Sequence, residues 1–138
     1  MLSKKTKYGL KALSYLSKQE ENNPVLISDI SKSENISRKF LESILLTLKK
    51  NGILSSKKGK GGGYFLLKKP NEIKISTVLR VLEGPIAMLP CVSLNYYERC
   101  DDCVNEEECS LSILMAEIRD STLKILENKT LANFHCED

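Results

Sequence analysis

The sequence has no apolar run long enough to cross a membrane, so no membrane partner is expected. Its basic opening, MLSKKTKYGLKAL, lacks the apolar stretch and small-residue cleavage site of a secretory signal, so a cytoplasmic protein is expected. No internal repeat or low-complexity tract is present, which sets aside a repeat architecture. No Gly-Lys-Ser/Thr opens a helix, which argues against the phosphate-binding loop of a nucleotide enzyme, and no enzymatic activity is expected. Histidine is limited to His135, beside Cys136; the first is expected to be an exposed side chain without a ligand role, the second a spare thiol. The five cysteines are an odd number without a secretory context, which argues against a disulfide framework.

What is present is a chain of 138 residues, 41% apolar and 28% charged, enough for one small domain with an appended element. The net charge of +3 hides an asymmetry: residues 1–80 carry a balance of +11 and residues 81–138 one of −8. A basic half followed by an acidic half fits a first half that meets a polyanion, although excess lysine also makes an ordinary solvated face.

Apolar spacing divides the chain into elements. Lys5–Lys18 reads as a helix with Leu10, Ala12, Leu13 and Leu16 at helical spacing. After the turn Glu20-Glu21-Asn22-Asn23-Pro24 a short helix covers Ile27–Glu34, stopped by Asn35 in a left-handed conformation. Ser37 caps the next helix, whose stripe of Phe40, Leu41, Ile44, Leu45 and Leu48 packs inward and which ends at Asn51-Gly52. A hairpin follows, strands Ile53–Ser56 and Tyr64–Leu67 around a lysine–glycine tip. Ser76 is expected to cap a helix over Thr77–Glu83, and Ser110 to cap a long helix from Leu111 to about Asn128. That long helix carries more apolar surface than a lone appendage can hide, so it is expected to pack on another helix, in its own chain or in a second copy.

Three helices and a basic hairpin in this order form a winged helix-turn-helix pattern. The fold class is therefore mainly α with a small β-hairpin wing, a winged helix-turn-helix domain plus a long C-terminal dimerisation helix. The expected division is a DNA-binding domain over 1–84, a cysteine-rich sensor loop over 85–109, and a dimerisation helix and tail over 110–138. The inward stripe of the third helix leaves Ser37, Arg38, Lys39, Glu42 and Ser43 on its exposed N-terminal part, the end that enters a major groove. Arg38 and Lys39 suit phosphates or guanine edges, and Glu42 suits a cytosine amine. Lys57, Lys58 and Lys60 are interleaved with glycines, which let backbone approach phosphate, and suit a wing in the minor groove.

These residues resemble the Rrf-two family of bacterial winged-helix transcriptional regulators, the IscR/NsrR/CymR-like group. The resemblance spans nearly the whole chain. It rests on Lys7-Tyr8-Gly9, on Ile36-Ser37 with Phe40-Leu41-Glu42, on Asn51-Gly52 followed by Lys58-Gly59-Lys60-Gly61-Gly62-Gly63-Tyr64, on Val81-Leu82-Glu83-Gly84 and on the cysteine segment. It implies that Glu42 reads a base and that Lys58 and Gly59 reach the minor groove, with Tyr64 closing the candidate DNA-contact set. Lys39 stands where IscR-like members have a small polar residue. The implied regulator is a homodimer on double-stranded DNA with a roughly palindromic operator.

The cysteines follow the pattern Cys91-x8-Cys100-x2-Cys103-x5-Cys109. Thiolates at such spacing on a loop can converge on a soft metal. By the resemblance, Cys91, Cys103 and Cys109 match three positions that hold an iron–sulfur cluster in sensing members. The histidine of IscR-like members is replaced by Ser112, and the carboxylate that NsrR-like members take from the other subunit is replaced by Lys7, which leaves Cys100 as the fourth ligand. Two alternatives stay open: a structural zinc on the same four thiols, or metal-free thiols that respond by oxidation. CymR-like relatives imply a further one, a regulator without a cluster that is controlled by a partner protein of sulfur metabolism. The acidic residues Asp101, Asp102, Glu106, Glu107 and Glu108 around the loop are expected to keep it off DNA phosphate and to raise thiol pKa values.

Overall fold

The structure, a computed structural model, describes residues 2–134, so His135 and Cys136 lie outside the described residues. The elements run α1 (Lys4–Ser17), α2 (Ile27–Glu34), α3 (Arg38–Lys50), β1 (Leu54–Lys57), β2 (Gly63–Leu66), α4 (Ile75–Leu82) and α5 (Ser110–Glu127), with short 3-10 turns at Pro70–Glu72, Pro90–Val92 and Leu131–Asn133. This is the expected mainly helical winged fold, with a hairpin wing and a long C-terminal helix.

Helices α1, α2 and α3 surround one core. The predicted stripe of α1 is buried in full: Leu10, Ala12, Leu13 and Leu16. Asn35 adopts φ 54° and stops α2, and the chain turns at once into the cap of α3, where Ser37 Oγ accepts the Phe40 N–H at 3.3 Å. In α3 the residues Leu41, Ile44, Leu45 and Leu48 are inaccessible to solvent. Phe40 departs from the expected stripe: it sits at the edge of the core and meets Tyr8 of α1 edge-on, with ring centroids 5.6 Å apart.

The hairpin is antiparallel, pairing Leu54 with Leu66 and Lys57 with Gly63. A third segment extends it. Val25, just ahead of α2, exchanges both backbone hydrogen bonds with Tyr64 at 2.8 Å, so the wing is stitched to the helical body through its second strand.

Two expected caps are corrected. Helix α4 starts at Ile75, not Thr77, with Lys74 in the cap position and Ser76 buried inside the helix. The cause is tertiary: the Ile75 side chain enters the core, and its N–H donates to Lys129 O at 3.0 Å. Helix α5 is capped by Cys109, not Ser110; the Cys109 sulfur accepts the Ser112 N–H at 3.5 Å.

The segment after α5 returns to the winged-helix body. Leu131 N–H donates to Ile73 O at 3.0 Å, and the Leu131 side chain is completely buried in the main core. Glu127 at the end of α5 pairs with Lys74 at 3.1 Å and Arg80 at 3.5 Å. None of the residues of α5 is buried. Leu111, Ile113, Leu114, Ile118 and Ile125 are all exposed large apolar side chains, so the predicted excess of apolar surface on this helix is not absorbed by its own chain.

Candidate nucleic-acid interface and cysteine loop

The first turn of α3 gathers the predicted reading residues on one open face. Ser37, Arg38, Lys39, Glu42 and Ser43 are all exposed. Arg38 Nε and Glu42 Oε1 form an ion pair at 3.7 Å, one turn apart. Ser43 Oγ donates to its own helix, to Phe40 O at 2.9 Å, so its hydroxyl is partly engaged. At the other end of the helix Lys49 Nζ donates to Ser56 Oγ of β1 at 2.6 Å, tying the register of the wing to that of α3.

Lys57, Lys58, Gly59 and Lys60 are exposed at the wing tip, which closes through Gly62 N–H to Gly59 O at 3.0 Å. Two close approaches require glycine. A Cβ on Gly62 would lie 2.2 Å from Lys57 O, and one on Gly63, whose φ is +146°, would lie 2.3 Å from Val25 O. Tyr64 is placed differently from the lysines. It is half-buried, packs against the main core, and both its backbone groups bond to Val25, so it is held on the body side of the second strand while the tip lysines stand free of the core.

Sequence reasoning missed the clasp at the start of α1. Glu83, just past the end of α4, accepts from the Ser3 hydroxyl at 2.8 Å, from the Ser3 N–H at 3.1 Å and from the Thr6 hydroxyl. The Thr6 hydrogen bond first, then those from Ser3, hold its carboxyl below the usual carboxylate range. A carboxylate at a helix N-terminus also meets the positive end of the helix dipole. The only signal in the sequence was the Val81-Leu82-Glu83-Gly84 motif, which carries no information about its partner.

The loop between α4 and α5 is a compact, hydrogen-bonded structure. Glu98 N–H donates to Pro90 O at 3.2 Å, Cys103 N–H to Cys100 O at 3.1 Å, and Arg99 to Cys103 O at 3.3 Å. The Tyr97 hydroxyl donates to Glu106, which pushes the phenol above its ordinary value. Arg119 of α5 reaches back to Val92 O at 2.7 Å, next to Cys91.

Cys91, Cys100, Cys103 and Cys109 all line one cleft of about 420 Å³, together with Leu89, Asp102 and Glu106. The Cys100 thiol donates to Asp102 Oδ1 at 2.7 Å, and this hydrogen bond raises its pKa, as expected of the acidic surroundings. An iron–sulfur cluster or zinc fits the donor set in kind: four cysteines line one cleft, one of them, Cys109, at the N-terminus of a long helix. The side chains are not gathered into a finished site. Among the described residues no three cysteine, histidine, aspartate or glutamate side chains stand close enough together to hold one ion. No helix among the described residues is long and apolar enough to cross a membrane.

The profile of the Rrf2 (Rrf-two) family, described as iron-dependent transcriptional regulator, matches residues 2–137. The chain is 40% identical over 134 residues to a putative HTH-type transcriptional regulator, rrf2-like, of Rhodobacter capsulatus, covering 95% of this chain and 89% of the relative. It is 30% identical to the HTH-type transcriptional regulator CymR of Bacillus subtilis, over 94% of this chain and 86% of the relative. The solved structure of CymR (YrzC), the global cysteine regulator of B. subtilis, superposes with a TM-score of 0.78, covering 96% of this chain and 94% of the other. T. potens IscR superposes with a TM-score of 0.73 at 28% identity, covering 96% of this chain and 84% of that one. These relatives are transcriptional regulators and not enzymes. The winged fold, the basic reading face and the match along almost the whole chain lead to one assignment: this chain belongs to the Rrf2 family of DNA-binding transcriptional regulators.

Proposed function

We propose that the chain works as a cytoplasmic homodimer that docks on a roughly palindromic operator and whose DNA affinity is set by the state of the cysteine loop. Residues 1–84 form the DNA-binding unit. Ser37, Arg38, Lys39, Glu42 and Ser43 enter the major groove, Lys57, Lys58, Gly59 and Lys60 reach the minor groove, and Tyr64 braces the wing behind them. The observation that carries this is spatial: the N-terminal part of α3 and the lysine tip are both exposed, and Lys49 of α3 hydrogen-bonds Ser56 on the strand that leads to the tip.

Pairing of α5 with its twin covers the exposed Leu111, Leu114, Ile118 and Ile125 and sets the distance between the two reading helices. The loop 85–109 joins the wing unit to this helix, so a change in the loop biases that distance through differential affinity for two arrangements.

Cys91, Cys103 and Cys109 would hold an iron–sulfur cluster with Cys100 as fourth ligand; such a group supplies redox or nitric-oxide sensitivity. This chain's own part is to gather the thiols, release the Cys100 proton now shared with Asp102, and pass the loop's position to α5 through Arg119.

A second reading has its own support. Relatives include the global cysteine regulator of B. subtilis, which favours a metal-free regulator controlled by a partner of sulfur metabolism. Anaerobic purification separates the readings. A brown protein with visible absorbance and bound iron supports the cluster. A colourless zinc protein means a structural site on the same thiols, and a colourless metal-free one means the partner-controlled form.

A further inference from the structure

We propose that Arg38 and Glu42 act as one reading unit for a single C·G base pair, Glu42 accepting from the cytosine amine while Arg38 forks onto the guanine edge of the same pair. This rests on the DNA-reading role of α3 given above. The ion pair joins Arg38 Nε to Glu42 Oε1 at 3.7 Å, and both side chains are exposed. It sets the guanidinium and the carboxylate side by side on the open face of α3.

A guanidinium and a carboxylate held side by side match one base pair. Guanine presents O6 and N7 as adjacent acceptors in the major groove, and the cytosine paired with it presents its N4 amine beside them. A guanidinium end meets O6 and N7 bidentately, and a carboxylate oxygen accepts from N4. Both contacts can form without breaking the ion pair. In an A·T pair the purine places an amine where the guanidinium needs an acceptor, so the unit discriminates against it. The turn that presents the unit is closed by the Ser37 cap and held to α1 by the Phe40–Tyr8 ring contact.

The charge follows the same logic. Arg38 is neutralised by Glu42, so the pair adds sequence preference rather than counterion release, which falls to Lys57, Lys58 and Lys60. An exposed pair one turn apart contributes little to fold stability, so its removal leaves a folded protein.

The test uses the full chain and its Arg38→Ala, Glu42→Ala and double variants. Each selects duplexes from a randomised library; affinities for the wild-type winner and its single-base-pair variants are then measured over a salt series, with thermal unfolding as the folding control. Both single variants should lose about tenfold discrimination at one and the same C·G position of each half-site. The double variant should lose no more than either single one and, its net charge being unchanged, should keep the wild-type salt slope. Losses at different positions, or losses that add, would overturn the proposal. So would a double variant that binds every duplex equally more weakly with a salt slope reduced by about 0.9, the mark of Arg38 on a phosphate. A wild-type protein that selects no sequence removes the reading role of α3 itself, a failure distinct from a failure of the pairing.

Discussion

At Gly63 two strands of backbone meet with no room for a methyl group: an added Cβ would stand 2.3 Å from Val25 O, at a φ of +146°. Gly63→Ala should cost about 1–3 kcal/mol, read as a lower thermal unfolding midpoint, because backbone on both sides is already committed to the Val25–Tyr64 bonds. Glu83 makes a pH prediction. Its pKa is depressed in the folded protein, so its contribution is complete above the ordinary carboxylate value and is lost as pH falls through its own lower one. Glu83→Gln should lower stability at neutral pH and flatten the acid limb of the pH–stability curve; an unchanged acid limb would mean that the clasp contributes nothing. Residues whose role is local were legible in the sequence. Asn35 and Ser37 act on neighbours within three residues, so their side-chain chemistry alone placed them. Ser76 misled because a distant contact decided the helix start, Ile75 bonding to Lys129 O, and Ser110 misled because the sulfur of its neighbour Cys109 took the cap.

The elements themselves follow from periodicity. The stripes of α1 and α3 were readable because one face of each is buried by the others. What periodicity does not carry is which element a chain end returns to, and the burial of Leu131 in the winged-helix core has no local signal. Leu131→Ala should destabilise the whole domain by about 2–5 kcal/mol, in calorimetry as in denaturant melts, since a completely buried leucine leaves a cavity. A loss confined to α5, with the wing domain melting as before, would show that the return is not part of the main core. For α5, a glutamate on its open apolar face is the sharper probe. Leu114→Glu or Ile118→Glu should halve the mass seen by sedimentation and weaken operator binding by about a hundredfold or more, because two linked half-site contacts become one. The cysteine loop was legible as one segment of the chain but not in its arrangement. Spacing brought four thiols to one cleft, while the hydrogen bonds from Tyr97 and Arg99 that shape the loop depend on long side chains folding back over it.

Over the whole molecule, charge divides the labour. The +11 half carries α3 and the wing, and the −8 half carries the cysteine loop and α5, so a polyanion is drawn to the first half and repelled by the second. This asymmetry is the most global feature legible in the amino-acid sequence, and it agrees with where α3 and the wing tip point their exposed side chains. The central claim is that the basic half grips duplex DNA through that tip and the first turn of α3. The most direct measurement is the affinity of the purified chain for a double-stranded fragment over a salt series, beside a Lys57→Ala, Lys58→Ala, Lys60→Ala variant. The account predicts that log affinity falls linearly with log salt, and that the triple variant has a slope shallower by about 2–3 with weaker binding to every duplex. Retention that does not respond to salt, or a triple variant that binds like the parent, would contradict it.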